Sequence, residues 1–155
     1  MMARTHLAFA LLIGLLTMNL FDFNKYLFLG IVLFAGILPD IDHPKSKLGR
    51  KLKILSWPIK FIFGHRNLLH SLVFLFGLCS VIWVFLDNWW IPVAVGYVSH
   101  LIADGLTKQG INFVYPFKQL SLYGFIETGS ILEVILFYLV LGLDVLIIIK
   151  DINLF

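Results

Sequence analysis

His100 and Asp104 stand four residues apart in an otherwise apolar run, so on a helix they project from one face. An imidazole and a carboxylate at that spacing can grip a single cation. Tyr97 lies one turn earlier on the same face. Asn67, His70 and Ser71 are spaced i, i+3, i+4 and share a face of the third helix, with His65 five residues before His70. Asp40, Asp42 and His43 follow Pro39, which ends a regular helix, in a turn that can wrap an ion. Taken singly, each has a plainer use as an interfacial residue, a cap or an interhelical polar contact. Together, several carboxylates and imidazoles in one layer perturb one another strongly unless a cation or protons intervene. Nitrogen and oxygen donors without thiolate favour zinc, manganese or iron over copper(I), with zinc first. The donors outnumber the needs of one tetrahedral ion, so one or two divalent ions are expected.

The elements that must position these residues are apolar. Hydrophobic residues make up 60% of the 155 and charged residues 14%, against roughly a quarter charged in soluble domains. Mean hydropathy is +0.95. A water-soluble globule and a disordered chain are both excluded as expectations. A single cysteine, Cys79, rules out an intramolecular disulfide. We read an all-α, polytopic helical bundle, one membrane-embedded domain over residues 1–155, with about five spans near 5–20, 26–38, 68–86, 89–106 and 131–149. The second is the shortest and must thin the bilayer around it or continue through the polar residues that follow. The first has the charge pattern of a signal peptide but no clear small-residue cleavage site, and is read as a retained helix. A further helix is expected at about 48–63. There Leu48, Leu52, Leu55, Ile59 and Ile62 repeat at spacings of 4, 3, 4 and 3, and lysines lie mostly off that face. Such a basic amphipathic helix lies flat on a leaflet of anionic headgroups. It serves either to fix topology or to guide an anionic substrate. The aromatic stretch 110–129, interrupted by Pro116 and Gly124, reads as interfacial or re-entrant.

Charge chooses the orientation. The linker Pro44–Asn67 carries seven basic residues and no acid, so it is expected to be cytoplasmic. Five spans then place the N-terminus inside, with 10 basic residues on that side against 2 outside. All five histidines, His6, His43, His65, His70 and His100, fall at that inner boundary, together with Asp40, Asp42, Asp104, Glu127 and Glu133. Ionisable residues in spans are costly and usually functional. Asp144 lies about 16 Å further along its helix than Glu133 and is left out of this layer, as an acid suited to an interhelical hydrogen bond.

Several of these segments resemble one family. Leu38 to Ser46 reads LPDIDHPKS, Gly64 to Ser71 reads GHRNLLHS, and Gly96 to Asp104 reads GYVSHLIAD. Each is similar to a motif of the membrane-bound metal-dependent hydrolase family, the YdjM-like group of LexA-regulated bacterial inner-membrane proteins. Leu106-Thr107 with Gly110, Tyr115-Pro116, Gly129 with Glu133, and His6 match further elements of the pattern, in order, from about residue 6 to 135. Asn67, Leu69 and Lys108 depart from it, standing where glycine, threonine and proline are usual. None of the three is a metal ligand, so the departures bear on substrate range. The resemblance implies a multispan membrane protein with metal-dependent hydrolase activity. The layout is also similar, by analogy alone, to that of zinc-dependent phospholipase C.

The resulting expectation is a hydrolase of phosphoester or lipid-like substrates at the cytoplasmic membrane face. Asp40, Asp42, His43, His65, His70, His100 and Asp104 supply ligands, with His6 a ligand or a supporting residue. Glu133 is a further ligand or the general base. Arg66 either neutralises phosphate charge or is a plain interfacial cation. Membrane lipid is the expected partner and nucleic acid is not. The alternative is a non-catalytic metal-binding or ion-handling membrane protein.

Overall fold

The computed structural model describes residues 1–42, 68–117 and 120–152, with the side chains of Ile41, Asp42 and Ile152 excepted. Five α-helices are present among them: α1 (Ala3–Thr17), α2 (Lys25–Ala35), α3 (Leu72–Leu86), α4 (Trp90–Gly105) and α5 (Ile131–Ile152). Short 3-10 turns cover Leu38–Asp42 and Asp87–Trp89. The expected interfacial helix at 48–63 lies outside the described residues, as do His43, His65 and Arg66.

Local chemistry sets the helix ends. Asn24 caps α2, its side chain accepting hydrogen bonds from the backbone N–H groups of Tyr26 and Leu27, both at 3.1 Å. Ser71 caps α3 by accepting from Phe74 N at 3.2 Å. This corrects the expected start of that element near residue 68. Leu68–Ser71 is a turn, so His70 and Ser71 precede the helix instead of sharing a face of it. Residues Leu72–Gly105 and Ile131–Asp151 are long and apolar enough to cross a membrane, and α1 is a shorter apolar helix. The first stretch folds back at Asp87, where φ is 52°. Leu75 of α3 consequently packs with Tyr97 and Leu101 of α4.

The bundle centres on α4, which packs against α1, α2 and α3, while α1 also packs along α5. Small residues permit the close approaches. A side-chain carbon at Gly96 would run into the carbonyl of Val32, and one at Gly36 would come within 2.6 Å of Ala10 Cβ. Close packing over glycine and alanine is how helices associate where lipid supplies no hydrophobic drive. Large apolar side chains remain outside, among them Phe76 and Phe85 on α3 and Tyr138 and Leu146 on α5. That is the pattern of a surface facing hydrocarbon.

One feature departs from an all-α reading. Ile111–Asn112 (β1) pairs antiparallel with Ser121–Leu122 (β2) in a small ribbon between α4 and α5. Each strand contributes two residues, too few for an alternating pattern to register in sequence.

Candidate metal centre

Asp104 is the hub. It lies on the last turn of α4, and its residue is 4% exposed. Its Oδ1 lies 2.7 Å from the amino group of Met1 and 3.3 Å from His6 Nε2. Its Oδ2 lies 3.6 Å from His70 Nε2 and 3.6 Å from His100 Nε2. His6 comes from α1, His100 from α4 and His70 from the turn before α3, and all three are buried. The rings of His6 and His100 stack, with centroids 3.9 Å apart and planes within 12°. His70 meets His100 edge-on at 5.2 Å. Asp40, on the turn after α2, forms a second group with His70 and His100. In each group, His6/His100/Asp104 and Asp40/His70/His100, one donor atom per residue lies within 4.8 Å of the others.

Each member is held from behind. His100 Nδ1 lies 2.8 Å from the carbonyl of Gly36. A carbonyl only accepts, so Nδ1 carries the proton and Nε2 presents its lone pair to the cluster. The His70 turn is fixed from two sides: the Tyr97 hydroxyl donates to the Leu69 carbonyl, and Leu72 N donates to Phe113 O at 2.9 Å. Thr107 donates its hydroxyl to the backbone carbonyl of Asp104 at 2.7 Å, closing the end of α4.

The fit to a cation follows from the unmet groups. Both ring nitrogens of His6 and Nε2 of His100 are buried without a hydrogen-bond partner among the described residues. Buried polar atoms are nearly always partnered. The spacings give the reason. A tetrahedral ion with bonds of about 2.0–2.1 Å sets its ligands roughly 3.3–3.4 Å apart. The imidazole-to-carboxylate distances of 3.3, 3.6 and 3.6 Å are close to that edge length. Those atoms are placed as co-ligands are, with nitrogen and oxygen donors that suit zinc, manganese or iron.

Glu133 stands apart from both groups. Its Oε1 accepts from Met2 N at 2.6 Å and from the Thr5 hydroxyl at 3.0 Å, and its Oε2 accepts from Gly129 N at 2.7 Å. It ties the start of α1 to the start of α5. Only the local part of this had a sequence signal: Ser130-x-x-Glu133 is a capping-box pattern, and Glu133 N donates to Ser130 Oγ at 3.4 Å. Thr5 and Gly36, both at the back of the site, carry no comparable signal, because their partners are remote in sequence.

The comparisons with known proteins bear on the whole chain. The sequence profile described as YdjM inner membrane protein matches residues 1–152. The chain belongs to the YdjM family. It is similar to the inner membrane protein YdjM of Escherichia coli (strain K12), 44% identical over 87 residues, covering 52% of this chain and 44% of that protein. It is also similar to YvsG of Bacillus subtilis (strain 168), 38% identical over 109 residues and 64% of each chain. The inner membrane protein YbcI of Escherichia coli (strain K12) is 32% identical over 125 residues, covering 74% of this chain and 66% of that one. The chain thus spans less than two thirds of the length of YdjM and of YvsG. No solved structure matches. With relatives named as inner membrane proteins and an apolar helical exterior, this family member is an inner-membrane protein.

Proposed function

We propose that the protein is a metal-dependent hydrolase of phosphoester bonds, working at the membrane face where its histidines gather. The observation that carries this is the convergence of His6, His70 and His100 on one buried carboxylate at co-ligand distances, with both ring nitrogens of His6 and Nε2 of His100 unpartnered among the described residues. His6, His70, His100, Asp104 and Asp40 are the residues to hold one or two divalent ions, zinc first. Asp42, His43 and His65 are candidates from the adjoining segments. A bound ion of this kind supplies Lewis acidity, which activates water near neutral pH and polarises a scissile oxygen.

The chain's own residues do the rest. Asp104 offsets cationic charge in a buried site. Gly36 fixes the tautomer of His100, and Tyr97 holds the turn that presents His70. Glu133, expected from sequence as a ligand or base, is assigned here as a positioning residue, because its oxygens are taken by three donors of the chain. Arg66 is suited to meet a phosphate through its planar fork. In the membrane, the five helices are read as five spans with the N-terminus and the metal centre on the cytoplasmic side, as the basic residues require. Helices α1 to α4, of 11 to 16 residues, reach about 16–24 Å. A hydrocarbon core of about 30 Å must thin around them.

Metal analysis of the purified protein tests the reading. The unaltered chain is expected to carry about one or two divalent ions, and His100→Ala to lose them while remaining in the membrane. Cleavage of a phosphoester probe should disappear with chelator and in His100→Ala. Stoichiometric metal retained in that variant overturns the assignment.

A further inference from the structure

The ribbon between α4 and α5 is tied tightly to the helix that carries Asp104. Ile126 N donates to Leu106 O at 3.1 Å, Gly124 N to Thr107 O at 3.0 Å, and Lys108 N to Ile126 O at 2.9 Å. Gly110 takes a φ of +61°, and a side-chain carbon at Gly124 would run into the backbone of Leu106, so the ribbon hugs the helix end. One side of it is buried through Ile111 and Ile126. Around that buried part, apolar side chains are left uncovered. Phe117, Leu120, Leu122, Tyr123 and Phe125 are between 53% and 80% exposed.

An uncovered patch of that kind marks a binding surface, and its surroundings identify what covers it. Along the chain the patch is followed by the exposed start of α5, with Ile131, Leu132 and Ile135 uncovered. In sequence it therefore adjoins the apolar exterior of a membrane protein. Its phenylalanines and tyrosine suit the boundary between headgroups and acyl chains. The exposed pair Lys108–Glu127, at 3.2 Å, marks a polar level beside it. We infer that the rim formed by Phe117, Leu120, Leu122, Tyr123 and Phe125 is seated in the bilayer leaflet at the metal-centre end, and that the phosphoester taken by the site belongs to a membrane lipid. The second half rests on the hydrolase reading; the seating does not. A rigid ribbon in the leaflet, bonded within three residues of Asp104, brings lipid headgroups beside the cluster.

Spin labels test the seating without reference to metal or activity. With Cys79→Ser as background, labels are placed through Leu122→Cys, Phe125→Cys and Glu127→Cys, all exposed positions, in the full chain in liposomes. Labels at 122 and 125 are expected to be several-fold more accessible to oxygen than to a water-soluble nickel chelate, with the reverse at 127. Preferential access of the nickel chelate at 122 and 125 overturns the seating. Spin–spin coupling there that vanishes on dilution with unlabelled protein also overturns it, in favour of contact with a second copy. For the substrate, one phosphoester headgroup is offered on a long-chain lipid in vesicles and on a water-soluble short-chain ester. At least tenfold faster cleavage of the vesicle lipid is expected. Phe117→Ser/Phe125→Ser should remove that preference while leaving bound metal and soluble-ester cleavage unchanged. Equal or faster cleavage of the soluble ester overturns the lipid assignment. Cleavage of neither, with labels 122 and 125 in the leaflet, removes the substrate assignment together with the hydrolase reading and supports the seating.

Discussion

Two acidic side chains at the same end of the bundle have been given different work by their surroundings. Asp104 takes one short bond, from the Met1 amino group at 2.7 Å to Oδ1, and otherwise faces imidazole nitrogens at 3.3–3.6 Å that are too distant or too poorly aimed for good hydrogen bonds. Glu133 faces two backbone N–H groups and a hydroxyl at 2.6–3.0 Å that are well aimed. Asp104→Asn is accordingly expected to lower metal affinity by at least about 10–100-fold, the scale on which even groups supporting a metal ligand act. Glu133→Gln is expected to keep its metal and instead to lose stability, by about 1–3 kcal/mol for weakened charge-assisted bonds and a mispaired donor. Metal content and thermal unfolding of the two variants in one detergent separate the roles. Metal lost from Glu133→Gln with an unchanged unfolding midpoint would return Glu133 to the ligand set.

At the scale of elements, the cluster depends on how closely α4 approaches α2. His100 reaches the carbonyl of Gly36 only because Gly96 leaves room for the backbone of Val32. Gly96→Ala should push the helices apart, costing about 1–3 kcal/mol as overpacking does, and metal affinity should fall with it. Gly30→Ala, which meets nothing within 4 Å, is the matched control and should leave both unchanged. Thermal midpoints and metal content report the outcome, and a Gly96→Ala protein with wild-type values would show that the close approach does not matter. These elements were unevenly legible. Helix α4 announces itself as an apolar run with His100 and Asp104 at helical spacing, and the structure sets them on one face as that spacing requires. The start of α3 was misplaced because Leu68 and Leu69 extend the apolar run, whereas the deciding event is Ser71 capping Phe74 N. The ribbon was invisible because its order comes from bonds to Leu106 and Thr107, a tertiary cause with no local period. The meeting of His6 with His100 was legible only as membership of a common layer; the stacking depends on α1 crossing α4.

Across the whole molecule, polarity is distributed unevenly, and this decides between a hydrolase and an ion pathway. The metal-centre end gathers His6, His70 and His100 with Asp40, Asp104 and Glu133. The opposite end holds a cavity of about 670 Å³ lined mainly by apolar side chains, with Lys25 and Asp151 at its margin. Between them on α5 stands Asp144, 1% exposed, its two oxygens without a hydrogen-bond partner among the described residues. This acid is the observation that favours an ion-handling protein. It lies eleven residues beyond Glu133, about 16 Å along the helix, and Val140 is a buried apolar residue on the stretch between. A divalent ion would have to shed its water there away from both groups of potential ligands found among the described residues, at an electrostatic cost far above thermal energy. Purified protein in sealed vesicles is therefore expected to bind zinc or manganese at the cluster and to pass neither across the membrane faster than protein-free vesicles do. A dye enclosed in the vesicles reads the flux. Flux above that background which Asp144→Asn abolishes would make the carboxylate a station on a path and replace the hydrolase reading with transport. Background flux together with chelator-sensitive phosphoester cleavage would leave the ion resident at one end of the bundle, where the ligands are.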